Sequence, residues 1–164
     1  MAKGITNGVM PLGAVASREK IYDTILDASP TGAVEFFHGY TYSAIPPSIA
    51  AGLAMQDIIE KENLIQRSKD MSPYFLDGLF SLKDIDIITD IRGYGMLGGI
   101  DIRFDERPGK AGYTCFKKLF EAGLSLKATG DCLIVAPPFI CEREHIDEII
   151  EKLRAGITNY MKSK

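Results

Sequence analysis

Apolar residues recur at intervals of three and four positions in several parts of this chain, and this spacing predicts amphipathic helices. The clearest helix closes the sequence, where Glu142 and Glu144 come early and lysines come late, as the helix dipole favours. Its apolar positions are Ile146, Ile149, Ile150, Leu153, Ile157, Tyr160 and Met161.

A long helix is predicted to begin at Pro46 and Pro47, because the first turn of a helix tolerates proline. The helix is predicted to continue past Arg67 and to bend near Pro73. Its apolar stripe consists of Ala50, Leu53, Ala54, Ile58 and Ile65.

Two shorter helices are also predicted. Ser17 is a suitable N-cap for the first, and Gly123 is a suitable residue to end the second. The apolar face is Ile21, Tyr22, Ile25 and Leu26 in the first helix, and Tyr113, Phe116, Leu119 and Phe120 in the second.

Other stretches alternate between apolar and polar residues, which is typical of a strand covered on one side. One such series is Ile85, Ile87, Thr89 and Ile91, and a second is Ile100, Ile102 and Phe104. A buried strand is predicted at residues 10–16. Two short strands are predicted at residues 123–127 and 132–136, because Thr129, Gly130 and Asp131 between them suit a tight reversal.

Glycines at 93, 95 and 98 match the spacing of a dinucleotide-binding fingerprint. That fingerprint requires the glycines to open a helix whose N-terminus meets the pyrophosphate. Here an alternating strand pattern follows instead. The glycines are therefore interpreted as a tight bend between two strands.

From residue 47 onward the predicted elements run helix, two strands, helix, two strands, helix. This order predicts an α+β fold with two layers and a mostly antiparallel sheet.

Composition narrows the possible functions. Hydrophobic residues make up 46% and charged residues 25% of the 164 residues, as in ordinary globular domains. A net charge of −3 argues against nucleic acid as a partner. No apolar run is long enough to cross a membrane, so a cytoplasmic location is expected. The three cysteines and two histidines lack metal-ligand spacing, so no metal site is predicted and the thiols are expected to be reduced.

Three separated motifs carry further information. They are Ala-Lys-Gly-Ile-Thr-Asn-Gly at residues 2–8, His-Gly-Tyr-Thr-Tyr-Ser at 38–43, and Ala-Thr-Gly-Asp at 128–131 leading into Ala-Pro-Pro at 136–138. In this order they resemble the class III (omega-amino acid) aminotransferases, which use pyridoxal 5′-phosphate (PLP). The resemblance implies the C-terminal small domain of the fold type I PLP-transferase architecture for residues 47–164. Residues 1–46 are expected to be a remnant of the large cofactor-binding domain.

The resemblance also implies roles for individual residues. Lys3 matches the lysine that forms the Schiff base with PLP and moves protons. Thr41 matches the threonine that donates to the PLP phosphate across a dimer interface, and Tyr40 contributes its backbone amide nearby. Lys127 stands where the family usually has an arginine that binds the substrate carboxylate. An ammonium is a point charge and lacks the two parallel donors of a guanidinium, so weaker or altered acid binding is expected.

Alternative interpretations of these residues stay open. Lys3 and Lys127 can be ordinary solvated lysines, and residues 40–43 an ordinary polar turn. His38 is interpreted as a structural or interface histidine. The chain begins two residues before its lysine, whereas the family has most of its large domain upstream. Activity is therefore expected to require a missing N-terminal part.

The first hypothesis is thus part of a transaminase that acts on amino acid and keto acid substrates. Its partner would be a second copy or a separately encoded N-terminal half. The second hypothesis is a catalytically silent remnant or a protein-interaction module.

Overall fold

A computed structural model describes residues 1–30, 39–103 and 107–163 of the chain. It divides into two compact units, Met1–Glu62 and Asn63–Lys164. The first unit contains helices α1 (Glu19–Asp27) and α2 (Pro46–Lys61). The unit boundary follows α2, later than the expected domain boundary at 46/47. The assignment of residues 1–46 to a remnant of the large cofactor-binding domain stays a prediction, because the two units are defined by contacts within this chain and not by comparison with a longer protein.

The second unit contains a four-stranded sheet in the order β1-β2-β4-β3. Its strands are β1 (Ile88–Tyr94), β2 (Leu97–Ile102), β3 (Lys127–Thr129) and β4 (Cys132–Val135), and every neighbouring pair is antiparallel. Helices α3 (Leu64–Phe80), α4 (Lys110–Glu121) and α5 (Arg143–Lys162) complete the unit. The predicted α+β class with an antiparallel sheet is confirmed.

The core of the second unit lies between the helices and one face of the sheet. Ile91, Ile100 and Leu133 are paired in register across three strands, so their side chains point to the same face. All three are buried. The largest completely buried side chains of the helices, which pack against this row, are Phe75, Leu79, Leu119, Ile146, Leu153, Ile157 and Tyr160.

Several sequence predictions are confirmed in detail. The two prolines occupy the first turn of α2. Tyr94 pairs with Leu97 across a two-residue turn, and Gly95 adopts a φ of +59° there, as a tight hairpin turn requires. Gly123 follows α4 with a φ of +82°. The sequence predicted only a favourable negative charge at the start of α5, and the structure adds a capping box: the Glu142 carboxylate accepts from the backbone N–H of His145, and the Glu142 N–H donates to His145 Nδ1.

The predicted buried strand at residues 10–16 is wrong. This segment forms no strand, and Val15 is 94% exposed. Among the described residues, its backbone bonds another stretch of backbone only at Ala14, whose N–H donates to Met1 O at 2.9 Å and whose carbonyl oxygen accepts from the Met1 ammonium at 2.6 Å. A strand needs a neighbour to satisfy its backbone groups, and the described part of the first unit provides none.

The prediction of a single long helix is also wrong, because α2 and α3 are separate helices. Asn63 adopts a left-handed φ of 50°, which ends the helical run, and asparagine tolerates this conformation better than most residues. The apolar spacing continues across the break, so periodicity alone could not show it. Pro73 lies inside α3.

Three further elements differ from their predicted positions. The first short helix begins at Glu19 after Arg18, and its Ile21, Tyr22 and Ile25 are exposed. Strand β1 begins only at Ile88, and an irregularity between Ile88 and Asp90 leaves Thr89 exposed. Strand β3 begins at Lys127 instead of residue 123. Phe104, predicted to extend β2, lies outside the described residues.

The buried face of α4 was predicted only in part: Leu119 is buried as expected and Phe116 packs against the core, but the two other aromatic residues do not face inward. Tyr113 and Phe120 are 58% and 61% exposed, whereas Ala111, Gly112, Cys115 and Leu119 are buried. Small residues allow a close approach of the β3–β4 turn to this side of α4, which aromatic residues would prevent. Burial raises the pKa of the Cys115 thiol to about 12. All three cysteines are free.

Candidate functional site

Lys3 lies at the start of a short 3₁₀ turn, Lys3–Ile5, and is exposed. Its φ of 56° is left-handed, a conformation that costs a non-glycine residue about 1–2 kcal/mol. Strain of this kind is frequent at functional sites, where the surrounding structure maintains it. The backbone bonds of the turn run from the Thr6 N–H to Lys3 O (3.3 Å) and from the Asn7 N–H to Gly4 O (3.2 Å).

A buried side chain, that of Thr6, stabilises the segment that follows this turn. It is only 3% exposed, and its hydroxyl donates to Met10 O at 2.6 Å. The Val9 N–H in turn donates to Thr6 O at 3.1 Å. The exposed amine is thus carried by a turn with a buried polar anchor.

Tyr40 and Thr41 belong to an exposed turn before α2. The Ser43 N–H donates to Tyr40 O at 3.0 Å, and the Tyr40 N–H donates to Ser43 Oγ at 3.3 Å. Ala44 follows with a left-handed φ of 56°. The Thr41 hydroxyl has no hydrogen-bond partner within the described residues. His38 lies outside the described residues.

Lys127 is the first residue of β3 and is exposed. The turn after β3 is fixed to the N-terminus of α4 by Asp131, whose two carboxylate oxygens accept from the Gly109 N–H at 2.8 Å and the Gly112 N–H at 3.1 Å. The Ile102 N–H donates to Asp131 O at 3.0 Å. A carboxylate at a helix N-terminus is favourable, so the strand that carries Lys127 is well anchored.

Arg92 lies on the same face of the sheet as Lys127, because Arg92, Gly99, Ile134 and Lys127 are paired in register across the four strands. Its guanidinium donates to Asp90 at 2.7 Å and to Asp101 at 2.7 and 3.1 Å.

The Arg92 guanidinium also affects the groups around it. By hydrogen bonding, it holds the pKa of Asp101 below its usual range. A further contact joins Arg92 to Cys132 Sγ at 3.5 Å, and burial raises the pKa of that thiol. Sequence reasoning missed this cluster, since its members are brought together only by strand register.

The predicted site residues are divided between the two units. Lys3, Tyr40 and Thr41 belong to the first unit, and Lys127 belongs to the second. Their roles in binding stay predictions. Within the described ranges, no group of three or more His, Cys, Asp or Glu side chains could hold a metal ion. None of the described helices combines the length and apolar character that crossing a bilayer demands.

The chain is similar to known proteins of one family over most of its length. The family described as aminotransferase class-III matches residues 1–157. An omega-aminotransferase from Caulobacter vibrioides is 40% identical over 157 residues, which cover 94% of this chain and 35% of that relative. A beta-alanine–pyruvate aminotransferase from Pseudomonas aeruginosa is 40% identical over 153 residues, which cover 92% of this chain and 34% of the relative.

A solved structure of a transaminase with L-alanine is also similar. It has a TM-score of 0.92 and 26% sequence identity, and the match covers 99% of this chain and 40% of that chain. The present chain spans about a third of the length of the curated relatives it matches.

Proposed function

Because this chain belongs to the class III aminotransferases, we propose that it takes part in moving an amino group from an amino acid or omega-amine to a keto acid such as pyruvate, with PLP as cofactor. The observation that carries the proposal is Lys3, an exposed amine on a strained and internally anchored turn. It lies in the segment that resembles the family's catalytic lysine.

The donor groups of the first unit fit PLP chemically. A primary amine can bond the cofactor's aldehyde carbon, and a hydroxyl and a backbone amide suit its phosphate. Lys3 would hold the cofactor at its carbonyl carbon, whose oxygen would leave as water. Thr41 of a second copy would donate to the phosphate, and the Tyr40 N–H beside it would exchange its bond to Ser43 Oγ for one to the same phosphate. When bound, PLP supplies the electron sink that lets a substrate carbon lose a proton. Lys3 would move that proton.

Lys127 is proposed to attract the substrate carboxylate. Among the described residues, no acidic side chain forms a salt bridge with Lys127, whereas Arg92 on the same face is paired with both Asp90 and Asp101. The charge of Arg92 is therefore already balanced by its own carboxylates. This difference leaves Lys127 as the cation better able to receive a carboxylate from solution.

Other polypeptide is proposed to complete the site. The first unit exposes many large apolar side chains, and an exposed apolar surface of this kind is typical of an interface. They include Val9, Val15, Ile21, Tyr22, Ile25, Tyr40, Tyr42 and Leu53. We propose that a second copy or a separately encoded N-terminal half covers this surface and provides the remaining walls of the cofactor site.

A second candidate function is a catalytically silent protein or an interaction module. The exposure of Lys3, Tyr40 and Thr41 favours it, because imine chemistry at neutral pH requires a lysine to lose its proton, which burial promotes. The same exposed apolar surface would then serve binding alone.

Reductive labelling separates the two candidates. The chain is incubated with PLP, reduced with borohydride, digested and analysed by mass spectrometry. We expect Lys3 to be labelled several-fold more than the exposed Lys20 in the same sample, because a retained cofactor site would hold PLP beside the Lys3 amine. Lys3→Arg should remove that label and leave Lys20 unchanged. Equal labelling of the two lysines in the wild-type chain would contradict a retained site.

A second test concerns Lys127. The chain is joined to the part of the Caulobacter omega-aminotransferase that it does not match, and Lys127→Arg is introduced. We expect the KM for pyruvate to fall about tenfold, because a guanidinium donates two parallel hydrogen bonds to a carboxylate. Lys117→Arg, on the exposed side of α4, is the matched control. An unchanged KM in the Lys127 variant would exclude this lysine from acid binding.

A further inference from the structure

We propose that Thr6 and Gly52 are positioning residues for Lys3, so that a buried hydroxyl and one face of α2 together determine where the amine points. The inference rests on the proposed function, since it concerns the lysine assigned to PLP. It assigns to two residues that touch no cofactor a part in presenting that lysine.

The hydrogen bonds within the turn at Lys3 are not sufficient to maintain its backbone conformation. Lys3, Asn7 and Gly8 all have left-handed φ angles, of 56°, 50° and 77°, and two of them are not glycine. Of the two backbone bonds that close the turn, one is slightly longer than usual at 3.3 Å and the other is at the upper end of the usual range at 3.2 Å. Its conformation must therefore be maintained by contacts from outside the turn.

Thr6 provides the first of these contacts. Its hydroxyl bond to Met10 O is short, at 2.6 Å, and is shielded from water because Thr6 is 3% exposed. This bond joins Thr6, three residues after Lys3, to Met10, which lies four residues further along the chain. A shielded hydrogen bond also resists exchange with water.

α2 provides the second contact. Ser48 and Gly52 are four residues apart, so they lie on the same face of α2, and both are buried. A Cβ at position 52 would lie 2.9 Å from Leu12 Cδ2 and 3.8 Å from Ile5 O. Ile5 ends the short turn that begins at Lys3. A Cβ alone would displace only the flexible end of the Leu12 side chain, because its distance to Ile5 O is an ordinary contact. A branched residue such as valine adds γ carbons on this face, and we expect these to press on the backbone that carries the amine.

These contacts could serve stability alone, so the experiment needs a local readout. PLP and borohydride labelling is repeated on Thr6→Val, which removes the hydroxyl at nearly constant volume, and on Thr6→Ser, which retains it. Gly52→Val is compared with Ala54→Val, a matched change on the exposed side of the same helix. The measured quantity is the ratio of label at Lys3 to label at Lys20, recorded over a range of pH.

We expect Thr6→Val and Gly52→Val to lower the ratio about tenfold, because small displacements of a reacting group cost up to about a hundredfold in rate. Thr6→Ser and Ala54→Val should keep the wild-type ratio and its pH profile. A high wild-type ratio that neither Thr6→Val nor Gly52→Val changes would overturn the positioning role and leave the proposed function standing.

Amide hydrogen exchange at Thr6, Asn7 and Val9 provides a readout independent of PLP. Thr6→Val and Gly52→Val should accelerate exchange at these amides about tenfold, whereas Thr6→Ser and Ala54→Val should not. If the wild-type chain labels Lys3 and Lys20 equally, the proposed site fails, and exchange alone then decides the positioning role. Unchanged exchange in both Thr6→Val and Gly52→Val overturns it.

Discussion

Gly112→Ala is expected to lower the free energy of unfolding by about 2–3 kcal/mol, although alanine is the better helix former by about 1 kcal/mol. A Cβ at this position would lie 2.2 Å from Gly130 O and 2.8 Å from Asp131 Cα. Both are backbone atoms of the β3–β4 turn, and the same turn is tied to α4 through Asp131. Neither atom can move without breaking those bonds, so the steric cost exceeds the gain in helix propensity.

Urea unfolding followed by circular dichroism measures the change. Lys117→Ala, on the exposed side of the same helix, is the control and should change stability by less than about 0.5 kcal/mol. A Gly112→Ala variant more stable than the wild type would show that α4 and the turn are not in close contact. Displacement of the turn should also shift the backbone amide signals of Lys127 and Ala128.

Arg67→Ala is expected to destabilise the chain by about 2 kcal/mol, because the Arg67 guanidinium forms hydrogen bonds with every residue of the segment 139–142 that precedes α5. Arg67 donates to the carbonyl oxygens of Phe139 (3.0 Å), Ile140 (3.1 Å) and Cys141 (3.2 Å) and to the Glu142 carboxylate. Charged hydrogen bonds contribute about 1.5–3 kcal/mol each when shielded, but the Arg67 side chain is 34% exposed, which reduces their sum.

Two companion variants separate the contributions. Arg67→Lys keeps the charge and loses the branched donor group, so it should recover less than half of the lost stability. Glu142→Gln removes the charge from both the ion pair and the N-cap of α5 but keeps an acceptor oxygen, so it should cost about 1 kcal/mol. If Arg67→Lys matches the wild type in urea unfolding, charge matters more than geometry at this position.

The sequence predicted the second unit well because its elements follow strong local rules. The apolar period of α5, the glycines of the β1–β2 hairpin and the reversal at Gly130 and Asp131 each specify local structure without help from distant residues. The predictions failed where a neighbour decides the outcome. Residues 10–16 are apolar enough for a buried strand, but a strand exists only beside a partner.

The face of α4 shows the same limit in packing. The aromatic residues made the more conspicuous stripe, yet Gly112 faces the β3–β4 turn and Cys115 faces the core. Volume, more than hydrophobicity, selected the buried side. No local pattern reports the distance to a turn that comes later in the chain.

The candidate site was predicted through motifs, and its supporting contacts were not. Lys3, Tyr40, Thr41 and Lys127 could be named because short strings of residue types surround them. The bond from Thr6 to Met10 and the bonds from Asp131 to α4 depend on backbone geometry, which residue types alone do not reveal. The Arg92 cluster likewise needs the strand register before its members can be seen as neighbours.

The two edges of the sheet differ from its interior in a way that bears on aggregation. β3, one edge, is three residues long and opens with Lys127, while β1, the other edge, carries Asp90 and Arg92 beside its irregular start. Short, charged and distorted edge strands are poor templates for a strand from another molecule. The lysine proposed to attract a substrate acid therefore also discourages unwanted strand addition at the margin of the sheet.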